Sequence, residues 1–278
     1  MKNSLPIQLL TCLLSLASCA SHAQHSVTKL WTTDSTLSIP ESVLYDTQNK
    51  LLYTSLINGK PDSADGNGQV AKVGLDGKII NANWVTGLDA PKGLGKFGNT
   101  LYAADLTQVD VIDISSAKVV KRIPIPGSAF LNDITVDKNG VVFVSDTRTG
   151  KVHRIENGVV TDYLDNLKNP NGLLAVGNDL YVLASGTLYN ADANKKLTII
   201  TNGMDESTDG VEQVSEGNFI VSSWNGIVYY VKQNGIKETL FDTRAQKISS
   251  ADIGYDAQNK IIYVPTFFGK SIVAYQLK

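Results

Sequence analysis

From Ser26 onward the apolar positions alternate with polar ones at the period of a β-strand. VDVIDI (109–114), VVFVSD (141–146), NFIVSS (218–223), GIVYYV (226–231) and IIYVP (261–265) are short β-branched and aromatic runs bounded by turn residues. Such runs suit strands packed within sheets. No window keeps apolar residues at helical spacing over several turns, so the predicted fold class is all-β.

The turns recur in a fixed order. One tight turn precedes a Tyr-, Phe- or Val-rich strand in each unit: DTQNK (46–50), KFGNT (96–100), DKNG (137–140), VGND (176–179), SEGN (215–218) and DAQNK (256–260). The first and last are near copies in context, YDTQNKLLY (45–53) and YDAQNKIIY (255–263), as expected of duplicated units. A second set of hairpin turns follows at LDGK (75–78), SSAK (115–118), ENG (156–158), ANK (193–195) and QNG (233–235). Five second turns against six first turns leave the last unit one strand short. SVTKLWT (26–32), ahead of the first unit, is free to supply that strand. Pairing the chain ends in this way closes a ring and leaves no long open sheet edge.

Aligned on the residue that opens the first strand of each unit, the repeats give Glu41, Lys92, Asn132, Asn171, Asp209 and Ala251, spaced 51, 40, 39, 38 and 42 residues apart. The long first interval holds a polar insertion, KPDSADGNGQ (60–69). Six four-stranded units of this length predict a six-bladed β-propeller, a single domain over residues 24–278 closed by pairing its N-terminal strand with the last blade. In a radial meander every innermost strand starts on the same face. The aligned residues should therefore ring one mouth of the central channel, and five of the six are polar or charged.

Composition narrows the chemistry. The chain has 278 residues, with Lys+Arg 25 against Asp+Glu 27, a net charge of −2 and no basic run, which argues against nucleic acid as a partner. Residues 1–23 have a lone Lys2, an apolar stretch and a small-residue ending. They suit a secretory signal peptide and are too short in their apolar part to span a bilayer. Cleavage after Ala23 competes with a lipobox ending at Cys19, whose lipidation would anchor the protein to a membrane. The expected location is thus periplasmic or secreted, or that of a membrane-anchored lipoprotein. The mature chain retains only His25 and His153. His153 falls on the third strand of its blade, away from the axis, which argues against serine–histidine catalysis and against a histidine dyad.

The ordered set Pro40-Glu41-Ser42, Leu131-Asn132-Asp133, Pro170-Asn171-Gly172 and Thr208-Asp209-Gly210, one per blade, resembles the regucalcin/gluconolactonase family over essentially the whole mature chain. The resemblance implies a metal-dependent hydrolase of a lactone or small ester, with one divalent cation in the channel mouth. By match, Glu41, Asn171 and Asp209 are its metal ligands, Asp209 doubles as the catalytic base, and Asn132 touches metal or substrate. Ca²⁺ is the foremost cation, with Mg²⁺, Mn²⁺ or Zn²⁺ as alternatives; the hard oxygen donors suit the first three best. Lys92 either orients an anionic substrate or pairs with Glu41 and Asp209 in place of the metal. Hairpin geometry brings the ends of second strands back to the same face, so Asp105, Asp146, Trp224 and Phe267-Phe268 should stand on the rim, with Asp146 and Trp224 available to the substrate. The alternative function is a non-catalytic propeller that binds a small molecule or a protein through this face.

Overall fold

The structure, a computed structural model, describes residues 24–278; the leader read in residues 1–23, with Cys12 and Cys19, lies outside the described residues. Six four-stranded antiparallel sheets form the blades. Five are consecutive meanders that begin with Pro40–Asp46, Pro91–Phe97, Leu131–Val136, Pro170–Val176 and Thr208–Ser215. In the sixth, Gly254–Asp256, Ile261–Pro265 and Ile272–Leu277 are completed on the outside by Val27–Thr32. That strand pairs Val27 with Leu277 and Thr32 with Val273, and Lys278 N–H donates to the Ser26 carbonyl at 2.9 Å. The six first strands touch one another in a closed cycle around the axis. The ring closure expected from the turn count is therefore present, and the insertion becomes the connection between the second and third strands of blade one.

The turns explain why the first and last units look alike. Asp46 Oδ1 accepts the N–H groups of Gln48 and Asn49, and Asp256 Oδ1 accepts those of Gln258 and Asn259. Asn49 and Asn259 close the same turn from their side chains. An aspartate bonding the backbone two residues on is the local chemistry that fixes such turns.

Among the described residues there are six large apolar clusters, one at each interface between neighbouring blades. Tyr53, Val70 and Leu88 of blade one meet Leu94, Leu101 and Ala103 of blade two. Leu37, Val43 and Leu52 meet Tyr263, Ile272 and Ala274 across the closure. Each such buried Leu, Ile or Val contributes about 1.5–3 kcal/mol relative to exposure. The wheel is held between its blades, and the axis is left to polar groups.

A repeated irregularity supplies those groups. In each of the first five blades the pairing of the two inner strands slips at the same place: from Pro40↔Leu56 to Val43↔Thr54, from Pro91↔Asp105 to Leu94↔Ala103, and likewise in the next three. Three steps on the inner strand answer two on its neighbour, which is a β-bulge. The backbone N–H freed by the bulge is taken up by a serine opposite it in three blades. Ser42 N–H donates to Ser55 Oγ at 3.0 Å, Asp133 N–H to Ser145 Oγ at 2.9 Å and Gly210 N–H to Ser222 Oγ at 2.8 Å. The bulge re-aims the strand, so two successive residues reach the axis where regular pleating would send one away.

Candidate functional site

Glu41, Lys92, Asn132, Asn171 and Asp209, each the second residue of an inner strand, line one cavity of about 440 Å³ at the channel mouth. The sixth ring position, Ala251, is buried beside Phe267. One side of the cavity is an aromatic wall. Trp224 meets Phe267 and Phe268 edge to face, with ring centroids 5.4 and 6.1 Å away, and the two phenylalanines meet at 4.8 Å.

The polar side chains are pinned by short bonds. Asn171 Nδ2 donates to Asp209 Oδ1 at 2.8 Å, from blade four to its neighbour blade five. Asn132 Nδ2 donates to Thr147 Oγ1 at 3.0 Å, and that hydroxyl donates to the Pro170 carbonyl at 2.8 Å. Lys92 Nζ donates to the Ala90 carbonyl at 2.9 Å and lies 4.4 Å from the centre of the Phe130 ring. Among the described residues no carboxylate comes within 4.0 Å of Lys92 Nζ, so the direct pairing with Glu41 and Asp209 allowed by the sequence is not made.

Asp146 is placed differently from the rim position expected for it. Its carboxylate is fully buried and accepts the N–H groups of Ala129 and Phe130 at 2.8 and 3.0 Å, outside the cavity lining. Asp105 does the same for Asp89 and Ala90 in blade two. Both aspartates fix the loops that lead into the inner strands. Trp224, Phe267 and Phe268 do stand on the rim. His153 is on a third strand, buried, with Nδ1 3.0 Å from Asp162 Oδ1.

Beneath the mouth, the residue after each ring position makes a second layer that the ring alignment did not single out. Ser42, Asp133 and Asp252 line the deeper channel with Glu212. Asp133 Oδ1 and Oδ2 accept the N–H groups of Ile134 and Leu173 at 2.7 and 2.6 Å, and Ser42 Oγ donates to Asp252. The other three positions are Gly93, Gly172 and Gly210, where space forbids a side chain. A Cβ at Gly93 would lie 2.3 Å from Asp133 Oδ1, and one at Gly210 would lie 2.4 Å from Asp252 Oδ1. Reading the alignment one residue further, with the bulge in mind, is the sequence signal that finds this layer.

Burial is the largest influence on every carboxylate here. It pushes Glu41 well above its ordinary range, reinforced by Asp209 and Asp252 and opposed by Lys92. Burial, then Asp252, raises Asp209 similarly, while the Asn171 bond opposes the rise. Asp252 is pushed up to about 7 and Glu212 to about 8. Lys92 is lowered by burial and partly restored by Glu41. A cation held by Glu41 and Asp209 at this mouth would oppose the upward shift of both carboxyls.

Of the buried oxygens on the residues that line the mouth, Glu41 Oε2 and Asn171 Oδ1 lack a donor among the described residues. Buried acceptors left unpaired are rare and costly. With Asp209 they form a set of hard oxygen donors that fits Ca²⁺, Mg²⁺ or Mn²⁺ better than Zn²⁺. The set leans on amide oxygen, since among the described residues no group of three or more His, Cys, Asp and Glu side chains has metal-binding geometry.

Fold and mouth together define a six-bladed β-propeller with a polar axial cleft. No protein-family model matches the sequence and no curated relative matches it. Solved structures share the architecture. A streptogramin B lyase superposes with a TM-score of 0.69 at 8% identity, covering 92% of this chain and 98% of that one. A catalytically inactive virginiamycin B lyase from Staphylococcus aureus, with quinupristin, gives a TM-score of 0.65 at 12% identity over 91% and 99% of the two chains. A chain of a nidogen/laminin complex gives 0.64 at 16% identity over 78% and 85%. At these identities the likeness is one of fold. Among the described residues no helix is long and apolar enough to cross a membrane.

Proposed function

We propose that the protein is a metal-dependent hydrolase of a lactone or small ester, of the regucalcin/gluconolactonase kind, acting at the channel mouth. The observation that supports it is the pair of buried, unpartnered oxygens Glu41 Oε2 and Asn171 Oδ1 beside Asp209, in a cavity of about 440 Å³, a volume that suits a small ligand. Glu41, Asn171 and Asp209 would hold one divalent cation, Ca²⁺ foremost. When bound, that cation would polarise the scissile carbonyl and offset charge developing on its oxygen.

The chain's own residues account for the rest. Asn171 anchors Asp209 Oδ1, which leaves Oδ2 to take the proton of the attacking water. Burial and Asp252 raise the proton affinity of Asp209, as suits a general base. Asn132, fixed by Thr147, and Lys92 orient the substrate, and Trp224 forms its apolar wall. Export, to the periplasm or cell exterior or to a lipid anchor at Cys19, is proposed with this function on the strength of residues 1–23.

The architectural neighbours include lyases and a chain of a protein complex, so the fold serves catalysis and binding alike, and the site must decide. A non-catalytic binding propeller would be favoured by Lys92 neutralising Glu41 and Asp209. Lys92 bonds to Ala90 instead. A panel of lactones and esters, followed by acid release with and without EDTA, tests the proposal. Hydrolysis that EDTA and Asp209→Asn both abolish is the expected result. No hydrolysis with any cation, and no cation-dependent shift in thermal unfolding, would leave the binding propeller.

A further inference from the structure

We infer that Lys92 and Arg148 together receive a negatively charged group of the ligand, so that the substrate is a carboxylate-bearing lactone or ester with an apolar body; the words lactone and ester rest on the proposed function, the receptor does not. The two cations meet on one aromatic ring. Lys92 Nζ lies 4.4 Å and the Arg148 guanidinium carbon 4.6 Å from the centre of Phe130. A ring face holds a cation through its quadrupole without neutralising it; Phe130 and Lys92 line the cavity, and Arg148, outside the lining, adjoins it through the Phe130 ring.

Lys92 is 2% exposed, and its one hydrogen bond goes to a neutral carbonyl. An ammonium has three donors, so two remain. Glu41 acts on Lys92 only from beyond contact distance, and a buried cation with no carboxylate bonded to it gains when one arrives. Arg148 has one ion pair among the described residues, to Asp62 at 3.3 Å, with both side chains 55% exposed. A pair so exposed contributes about 0–1 kcal/mol, and a ligand carboxylate that engages the guanidinium fork in its place loses little by displacing it. Asp62 sits in the insertion, whose Pro61 lines the same cavity. The remaining charged group of the rim, Glu206, pairs outward with Lys168 at 3.5 Å.

The cavity's aromatic wall dictates the other end of the ligand. Trp224 and Phe267 are backed by a small apolar cluster, while Phe268 is 63% exposed at the mouth. Its exposed face extends the aromatic wall at the mouth, where an apolar part of a ligand can pack. A compound with a carboxylate at one end and a hydrocarbon or ring at the other satisfies both.

Calorimetric titration with 4-phenylbutyrate and its neutral amide, 4-phenylbutyramide, tests this in EDTA, where no divalent cation can host the carboxylate, and again with calcium. The acid should bind at least about tenfold more tightly than the amide. In Arg148→Gln, an exposed change whose folding is checked by the thermal midpoint, that gap should shrink to about threefold or less, and Trp224→Leu should weaken both ligands. Equal binding of acid and amide by the wild type, no binding of the acid, or an unchanged gap in Arg148→Gln overturns the receptor. Turnover is read separately. Hydrolysis absent with the acid–amide gap intact removes the hydrolase and supports the receptor; hydrolysis of neutral and carboxylate-bearing esters at equal kcat/KM removes the receptor alone.

Discussion

Asp110 of blade two occupies the position that His153 holds in blade three. Asp110 faces Ala103 across the second and third strands as His153 faces Val144, and each lies close to the aspartate that ends the second strand, Asp105 or Asp146. The consequences are opposite. Asp146 is held far below the ordinary carboxylate range, against the pull of burial, by His153, Thr149 and the N–H groups of Ala129 and Phe130. Asp110 is pushed up to about 7 by burial and then by Asp105, with Arg122 opposing.

Asp110→Asn should therefore stabilise the protein at neutral and alkaline pH. A carboxyl whose folded value is raised keeps its proton in the folded state while the unfolded chain loses it, so wild-type stability falls as pH rises from about 4 to about 7. An amide at this position avoids that loss, keeps an acceptor for Arg122, and places a donor where the unpaired Asp110 Oδ2 faces its neighbour. Thermal unfolding should show little difference at pH 4 and a gain of about 1–2 kcal/mol at pH 8.

At the mouth the same sign applies to several groups at once. Glu41, Asp209 and Asp252 are all raised, Asp252 to about 7, so in EDTA the melting temperature should fall between pH 5 and pH 8. Saturating Ca²⁺ or Mn²⁺ should reverse the fall, and the rescue should grow with pH because protons and cation compete. At about a hundredfold excess over Kd the stabilisation is about 2.7 kcal/mol, or about 5–10 °C for a chain of this size. A cation effect that is the same at both pH values would contradict the assignment of these oxygens.

Gly172→Ala should damage the mouth through its floor. The added Cβ would lie 2.1 Å from the Asp209 carbonyl and 2.8 Å from Leu183 Cδ1, so the inner strands of blades four and five must separate. Overpacking of this kind costs about 1–3 kcal/mol, read as a lower urea midpoint. The cation-dependent melting shift should shrink with it, because Asp209 is displaced relative to Asn171.

Closure by the first strand should be separable from the rest of the fold. Trp31 donates to the Leu75 carbonyl at 2.9 Å and packs on Tyr263 and over Gly77. As a partly exposed residue it should cost about 2–3 kcal/mol on mutation to alanine, less than a fully buried tryptophan. Deleting residues 24–32 bares the edge of Ile272–Leu277 and should produce concentration-dependent association in size-exclusion chromatography.

The repeat was legible in the sequence because turn chemistry is local. Asp46 and Asp256 each fold the next residues by their own side chains, so register, blade count and the five polar ring positions could be read from spacing. The fate of Asp146 could not. Its place at a strand end suggested the rim, but its carboxylate is occupied by two backbone donors sixteen and seventeen residues earlier, a relation that only the folded loop creates. Nor could the stacking of Arg148 on Phe130 be read, since it joins two loops through side-chain reach. Asp133 was hidden by strand alternation, which its bulge suspends, and Asp252 by its place ahead of Gly254–Asp256, where it bridges to Ser42.

Those five bulges have a wider consequence. They direct the side chains of the axis by a kink in the main chain, whereas the spokes are glued by apolar residues on other positions of the same strands. Recognition and durability are thus written on separate letters of each blade. At Glu41, Lys92, Asn132, Asn171 and Asp209 the cleft can be respecified with the clusters between blades untouched, whereas Gly93, Gly172 and Gly210 beneath them admit no side chain.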